Sequence, residues 1–90
     1  MERKYKIGDK VTIKPIEWYD KYKNENGEVE ITIGNGICDS FVDEMSQNCG
    51  KELEIEEYDE YGGYKLNDGM GYTYYEGFFV GEDDNKIVKN

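Results

Sequence analysis

The sequence contains no histidine, and only two of its 90 residues are cysteines. Histidine is the commonest general base and a common metal ligand, so its absence removes the usual catalytic dyads and metal sites. Cys38 and Cys49 form no Cys-x-x-Cys pair, and two thiols without histidine cannot complete a tetrahedral zinc site. We expect two reduced cysteines, as is usual in the cytoplasm, with a disulfide between them as the alternative.

Motifs that would carry chemistry are also missing. Neither Ser40 nor Ser46 lies in a Gly-x-Ser-x-Gly elbow. An EF-hand register with Gly27 or Gly69 at its sixth position places a tyrosine at the first, where calcium needs an oxygen ligand such as aspartate. No Gly-Lys-Ser/Thr follows any glycine pair, so there is no phosphate-binding loop. The sequence therefore predicts a protein that is not an enzyme and that uses no cofactor and no metal.

Long apolar runs are absent as well. The chain begins Met-Glu-Arg-Lys, and no hydrophobic stretch follows. A signal peptide or a membrane helix would need such a stretch. We expect a cytoplasmic protein with no membrane partner.

Basic residues are scarce. There are 11 Lys and Arg against 21 Asp and Glu, which gives a net charge of −10. Residues 1–23 hold seven basic and four acidic groups, so the remainder of the chain carries the whole excess of negative charge. Direct binding to nucleic acid is excluded on this basis, because neutralising phosphates requires a basic surface.

What the sequence does have is aromatic residues, at 14%, and 11 glycines, a composition typical of a turn-rich β protein. Alternation of apolar and polar residues predicts strands over 11–14 and 28–33 and around Leu53 and Ile55, with a shorter one at 64–66. Residues 72–75 and 78–80 supply further aromatic side chains. In the first strand, Val11 and Ile13 should face the core, and Lys14 should face solvent.

Two short helices interrupt this pattern. Trp18, Tyr19 and Tyr22 have the spacing of an inward helical face over 16–23. A second helix is predicted from an N-cap at Ser40 to a stop near residue 50, with Phe41, Val42 and Met45 facing the core. Residues from about 81 onward have the composition of a polar tail in which Ile87 and Val88 could dock.

The predicted fold is mainly β: one domain, 1–90, forming a small SH3-like barrel of four to six antiparallel strands with two short helical insertions. Residues 6–14 resemble the opening strand of SH3-like barrels, including the KOW type. The runs 43–45, 49–55 and 63–66, followed by an aromatic-rich end, are similar to small SH3-like proteins encoded by phages and other mobile elements. The resemblance spans roughly residues 5–80. It implies the fold and a bacterial host cell, and it supplies no catalytic residue.

The strongest pattern is acidic. Residues 52–60 hold six carboxylates in nine positions. If Leu53 and Ile55 face the core, then Glu52, Glu54 and Glu56 share the outer face of one strand, and Glu28 and Glu30 repeat the pattern on what we expect to be a neighbouring strand. Like charges along a sheet are destabilising, so the arrangement indicates either a solubilising surface or an anionic surface for a basic partner.

Six of the nine tyrosines fall within residues 58–75, more than a small barrel can bury. Tyrosine is enriched where binding energy concentrates. The predicted partner-binding residues are Glu28, Glu30, Glu52, Glu54, Glu56, Glu57, Tyr58, Asp59, Glu60, Tyr61, Tyr64 and Tyr74.

These residues predict a binding protein from a phage or mobile element that masks the basic, nucleic-acid-binding surface of a host protein. By analogy of class, anti-CRISPR inhibitors of bacterial immunity share this small size and acidity. The alternative is an SH3-like accessory module of a phage assembly, which binds a peptide or protein while its acids serve only solubility. The sequence leaves the oligomeric state open.

Overall fold

A computed structural model describes residues 4–34 and 36–89. It contains six short strands and one α-helix, with two 3₁₀ helices, which we call the first and second 3₁₀ helix. In chain order the elements are β1 (Lys10–Thr12), α1 (Ile16–Tyr22), β2 (Val29–Ile33), β3 (Ile37–Phe41), the first 3₁₀ helix (Asp43–Asn48), β4 (Glu52–Tyr58), β5 (Tyr64–Leu66), β6 (Thr73–Tyr74) and the second 3₁₀ helix (Glu76–Phe78).

The strands form two antiparallel sheets. Four strands lie in the order β1-β4-β5-β6, and β2 and β3 form a separate hairpin. Beyond β1, Ile13 pairs with Phe79, and Val80 donates its N–H to the carbonyl of Thr12 at 2.8 Å. Within the described residues β6 pairs only with β5, so the sheet is not closed into a barrel. The prediction of a mainly β fold with antiparallel strands and short helices is confirmed at this level.

Helix α1 forms where the sequence predicts it. Pro15 precedes it with a fixed φ of −69°, which suits a helix start, and the N–H of Lys23 closes the last turn on the carbonyl of Tyr19. The inward face buries Trp18 and Tyr19 as expected. Trp18 meets Phe41 edge to face, with ring centroids 5.2 Å apart, which fixes the helix against the β2–β3 hairpin.

The second predicted helix is wrong in start and type. Ser40 belongs to β3 rather than capping a helix, and Phe41 reaches the core from that strand, where it pairs with Val29. Only the following six residues, Asp43–Asn48, are helical, and they form a 3₁₀ helix. Phenylalanine is a residue type that favours strands, and Phe41 also pairs with β2. Together these two effects outweigh the local capping pattern, so the segment forms a strand.

The orientation predicted for Lys14 is also wrong. The strand ends at Thr12, so the alternation that would turn Lys14 outward no longer applies. Lys14 is 7% exposed, and its ammonium donates to the carbonyl of Glu82 at 2.8 Å and to the carboxylate of Asp84. A charge is buried here only because both partners are supplied by the C-terminal segment.

That C-terminal segment is an ordered part of the sheet structure. We call residues 82–88 the C-terminal clasp. Ile87 is buried and pairs with Ile31 of β2, and the N–H of Thr32 donates to the carbonyl of Lys86 at 2.9 Å. The docking predicted for Ile87 is confirmed, but the expected polar tail is in fact a third extended segment beside β2.

The core is built from aromatic rings. Phe41 lies at its centre and meets Phe78 at 5.1 Å and Tyr74 at 6.3 Å between ring centroids. Tyr64 and Tyr74 are fully buried. Trp18, Val29, Ile31 and Met45 complete the side facing α1 and the hairpin. No described helix is both long enough and apolar enough to cross a lipid bilayer.

Candidate binding surface

Strand β4 presents four glutamates to solvent. Ile55 is fully buried and marks the inner side of the strand. A β-bulge shifts the register between Ile55 and Glu57, so that Ile55 pairs with Leu66 and Glu57 with Lys65. The extra residue at Glu56 leaves Glu56 and Glu57 both exposed. We call the exposed glutamates of this strand the β4 acidic face: Glu52, Glu54, Glu56 and Glu57.

Lysines of the adjacent strands reduce the negative charge of the β4 acidic face without neutralising it. Lys10 lies opposite Glu54, and Lys65 lies opposite Glu57. Such cross-strand neighbours have Cβ atoms about 5 Å apart. The ion pairs among the described residues are Lys4–Glu82, Lys14–Asp84 and Lys23–Asp20, and none of them involves the β4 acidic face. Four carboxylates against two flanking lysines leave a net negative strand.

Glu28 and Glu30 do not join this surface. They precede and belong to β2, which is in the other sheet and is not hydrogen-bonded to β4. Glu30 is half-buried and accepts a hydrogen bond from the side-chain amide of Asn24 at 3.3 Å. The predicted two-strand acidic plate is therefore wrong, because β4 pairs with β1 and β5, whereas β2 pairs with β3 in a separate sheet.

The turn after β4 continues the acidic character and adds two exposed rings. The side chain of Asp59 accepts the N–H of Tyr61 at 2.9 Å, which shapes the turn, and Glu60 is exposed. Tyr61 is 60% exposed and Tyr58 is 42% exposed. Tyr58 is held in place by a 3.3 Å hydrogen bond from its hydroxyl to the carbonyl of Tyr5. Tyr58 pairs with buried Tyr64, with ring centroids 6.0 Å apart, so it lies on the side of β4 opposite the glutamates. Both tyrosines are exposed at the end of the strand, where they can contact a partner.

Tyr64 and Tyr74 cannot contact a partner, because both are fully buried and pair with each other across β5 and β6. The hydroxyl of Tyr64 donates to Glu76 at 2.8 Å, and that of Tyr74 donates to Asp68 at 2.8 Å. Burial raises the pKa of Tyr74 well above its ordinary value. For Tyr64, the alternation with buried Leu66 already indicates an inward side chain.

A groove that the sequence did not indicate lies beside the turn. Its volume is about 370 Å³, and its lining includes Ile31, Ile33, Tyr61, Tyr75 and Lys86. Tyr75 is 4% exposed, and its hydroxyl donates to the carboxylate of Asp39 at 2.9 Å. Burial and this hydrogen bond raise the pKa of Tyr75. Four separate segments of the chain form the groove, so no local sequence pattern could reveal it.

The described residues contain no group of three or more Cys, Asp or Glu side chains arranged to hold a metal ion. Cys38 is exposed and Cys49 is half-buried, and both are free thiols. Burial raises the pKa of Cys49 to about 11, so its thiol is a poor nucleophile at neutral pH.

No protein-family model, no curated protein and no solved structure matches this chain.

Proposed function

We propose that the protein is a small phage or mobile-element binding protein that masks a basic, nucleic-acid-binding surface of a host protein, in the manner of an anti-CRISPR inhibitor. The β4 acidic face carries the proposal. It concentrates on one strand four carboxylates that form no ion pair among the described residues, and Tyr58 and Tyr61 are exposed at the end of that strand. Charge steers association, and exposed tyrosines anchor the complex.

The spacing of the charges determines what kind of basic surface would fit the β4 acidic face. Alternate residues of a strand lie about 6.8 Å apart, whereas one strand of B-DNA carries a phosphate about every 3.4 Å. The bulge at Glu56 places two carboxylates next to each other and raises the local density. Apart from the bulge, the carboxylates of β4 are about twice as widely spaced as the phosphates of one DNA strand, so the proposed partner surface is a single narrow row of basic side chains.

The SH3-like barrel is part of the same proposal. Strand β6 is one edge of the four-stranded sheet, yet Phe79, only a few residues later, pairs next to β1 at the opposite edge. The connection is the second 3₁₀ helix, Glu76–Phe78. Such a short connection between opposite edges requires a strongly curled sheet, which supports a barrel that is almost complete.

The function is tested by capturing partners from a bacterial lysate on the immobilised protein and eluting them with excess duplex DNA. Because the proposed partner uses one surface for both, we expect DNA to displace what is captured. We expect the triple variant E52K/E54K/E56K to lose at least about tenfold in capture, since the charge of the surface is reversed. Raising NaCl to about 0.5 M, where the Debye length is about 4 Å, should slow association strongly.

The matched control is E17K/D20K/E25K, which changes the net charge equally at exposed positions in and after α1. It should retain capture. Equal losses in the two variants would mean that only net charge matters, and capture that is insensitive to DNA or to salt would refute the masking function.

A second candidate function, peptide binding by an accessory module, is favoured by the groove beside Tyr61. Extended peptides dock in aromatic-lined grooves on small β domains. In that case Tyr61→Ala should abolish capture, whereas E52K/E54K/E56K should leave it almost unchanged, so the same assay separates the two functions.

A further inference from the structure

One edge of the β2–β3 hairpin is open. Thr32 and Glu30 use their backbone groups to bond the C-terminal clasp. Backbone groups alternate sides along an antiparallel strand, so the intervening residues of β2 are the ones that bond β3. Their partners on β3 are Phe41, Asp39 and Ile37. The backbone groups of Cys38 and Ser40 therefore point to the other side, away from β2.

No described strand covers that side. The hairpin pairs with the clasp along β2 and with nothing along β3, within residues 4–34 and 36–89. The N–H and C=O of Cys38 and the C=O of Ser40 are thus offered to an incoming strand. The N–H of Ser40 is held by the side chain of Asp39 at 2.7 Å. An open edge of this kind is a template for pairing with another extended chain.

The charge around the edge selects the occupant. Residues 36–44 contain three carboxylates, Asp39, Asp43 and Glu44, and no basic residue. A second copy is disfavoured, because antiparallel pairing of Cys38 with Ser40 of that copy would place the two Asp39 side chains directly opposite each other. Like charges in that position are destabilising. A lysine or arginine opposite Asp39 would instead be stabilised.

We infer that β3 binds a basic extended segment of a partner by β-strand addition. The segment hydrogen-bonds to the backbone of Cys38 and Ser40, and one of its basic side chains lies opposite Asp39. This inference goes beyond the β4 acidic face, which lies in the other sheet, and each surface can fail its test independently.

The probe is the peptide acetyl-Thr-Lys-Val-Lys-Val-Lys-Thr-amide, titrated into ¹⁵N-labelled protein at about 0.15 M NaCl. The expected result is saturable binding with slowed hydrogen exchange at the amide of Cys38. The same peptide with glutamate in place of lysine should not bind. Protection elsewhere, with the amide of Cys38 unchanged, would overturn the inference.

The informative variant is Cys38→Pro, which removes the outward N–H while leaving the bonds to β2 in place. We expect it to weaken peptide binding about tenfold, the loss expected when a strand-pairing hydrogen bond and its geometry are removed. Cys38→Ala keeps the backbone donor and should bind like the parent, which excludes a role for the thiol. Asp39→Asn should also weaken binding by removing the charge opposite the lysine.

Circular dichroism of each variant establishes that it is folded, and chemical shifts outside β3 locate any wider change. If Cys38→Pro unfolds, the Asp39→Asn variant tests the inference instead. Peptide binding by Asp39→Asn that equals binding by the parent would refute it. E52K/E54K/E56K should bind this peptide within about twofold of the parent, because charges beyond about 8 Å are largely screened at this salt. Self-association by sedimentation, with protected Cys38 and no peptide present, would overturn the inference in favour of a second copy.

Discussion

A few polar side chains hold the C-terminal clasp to the rest of the chain. Lys14 bonds to Asp84 and to the backbone of Glu82, while the carboxylate of Glu82 accepts from Lys4 and Tyr5, each at 2.6 Å. Trp18 adds a 3.1 Å hydrogen bond to Asp84. Burial alone would raise the pKa of Glu82 and of Asp84, but the hydrogen bonds from their lysine and aromatic partners outweigh it and lower both pKa values.

The lowered pKa values of Glu82 and Asp84 predict how the stability of the fold depends on pH. Their pKa values are lower in the folded chain than in the unfolded chain, so their stabilisation is complete above the unfolded values, near pH 4, and is lost as pH falls through the folded values. We expect the double variant E82Q/D84N to be less stable than the parent at pH 7, with the difference shrinking toward pH 3. Urea unfolding of both proteins from pH 3 to 7 measures it.

Asp83→Asn is the control, because Asp83 is exposed and lies between the two carboxyls without contacting Lys14. It should follow the parent at every pH. A difference between E82Q/D84N and the parent that stays constant with pH would mean that the two carboxyls stabilise the fold only through their shape.

At the scale of elements, the entry to β5 depends on one glycine. A Cβ atom at Gly63 would lie 2.5 Å from the methyl group of Thr73 and 3.0 Å from the carbonyl of Tyr74, which is backbone and cannot move aside cheaply. Overpacking of this kind typically costs about 1–3 kcal/mol. We expect Gly63→Ala to lower the free energy of unfolding by about 2 kcal/mol or more, as measured by urea titration.

Gly50→Ala is the matched comparison. Gly50 has a φ of +80° and open space around its Cβ position, so alanine there meets only conformational strain. That strain costs about 1 kcal/mol. A Gly63→Ala variant no less stable than Gly50→Ala would mean that β6 moves away from β5 at little cost.

The elements also separate what the sequence could predict from what it could not. Helix α1 and strand β2 follow from local periodicity, because their apolar residues repeat with the period of the element. The residues around Ser40 carry a capping pattern, yet pairing with β2 makes them a strand. Partner choice between strands is non-local, and for that reason the separation of Glu30 from β4 was not predictable.

The same division holds for the candidate surface. Alternation around Ile55 correctly predicted that Glu52, Glu54 and Glu56 would be exposed. The bulge that exposes Glu57 as well depends on the pairing with Lys65 and leaves no local pattern. The open edge of β3 has no local signature either, because the capping pattern around Ser40 favours a helix over a strand at these residues.

At the scale of the whole molecule, the net charge of −10 is spread over a body of only 33 × 29 × 22 Å. Self-repulsion at this density destabilises the folded state, and added salt screens it. We expect the Tm to rise between low salt and about 0.5 M NaCl, as measured by differential scanning calorimetry.

Two variants locate the repulsion. E52K/E54K/E56K and E17K/D20K/E25K each change the charge by six, from −10 to −4. If the glutamates of the β4 acidic face repel one another along the strand, the first variant should show the smaller dependence of Tm on salt. Identical salt dependence in the two variants would place the repulsion in the overall charge rather than in β4.

The position of Ile87 against Ile31 has a practical consequence for truncation. A chain cut before Lys86 would leave β2 uncovered on the side where Thr32 now donates its N–H. The hairpin would then have unpaired backbone groups along both of its edges, and Ile31 would become exposed to solvent. Exposed strand edges of this kind commonly start aggregation into fibrils. The C-terminal clasp thus protects the chain from aggregation as well as completing the fold.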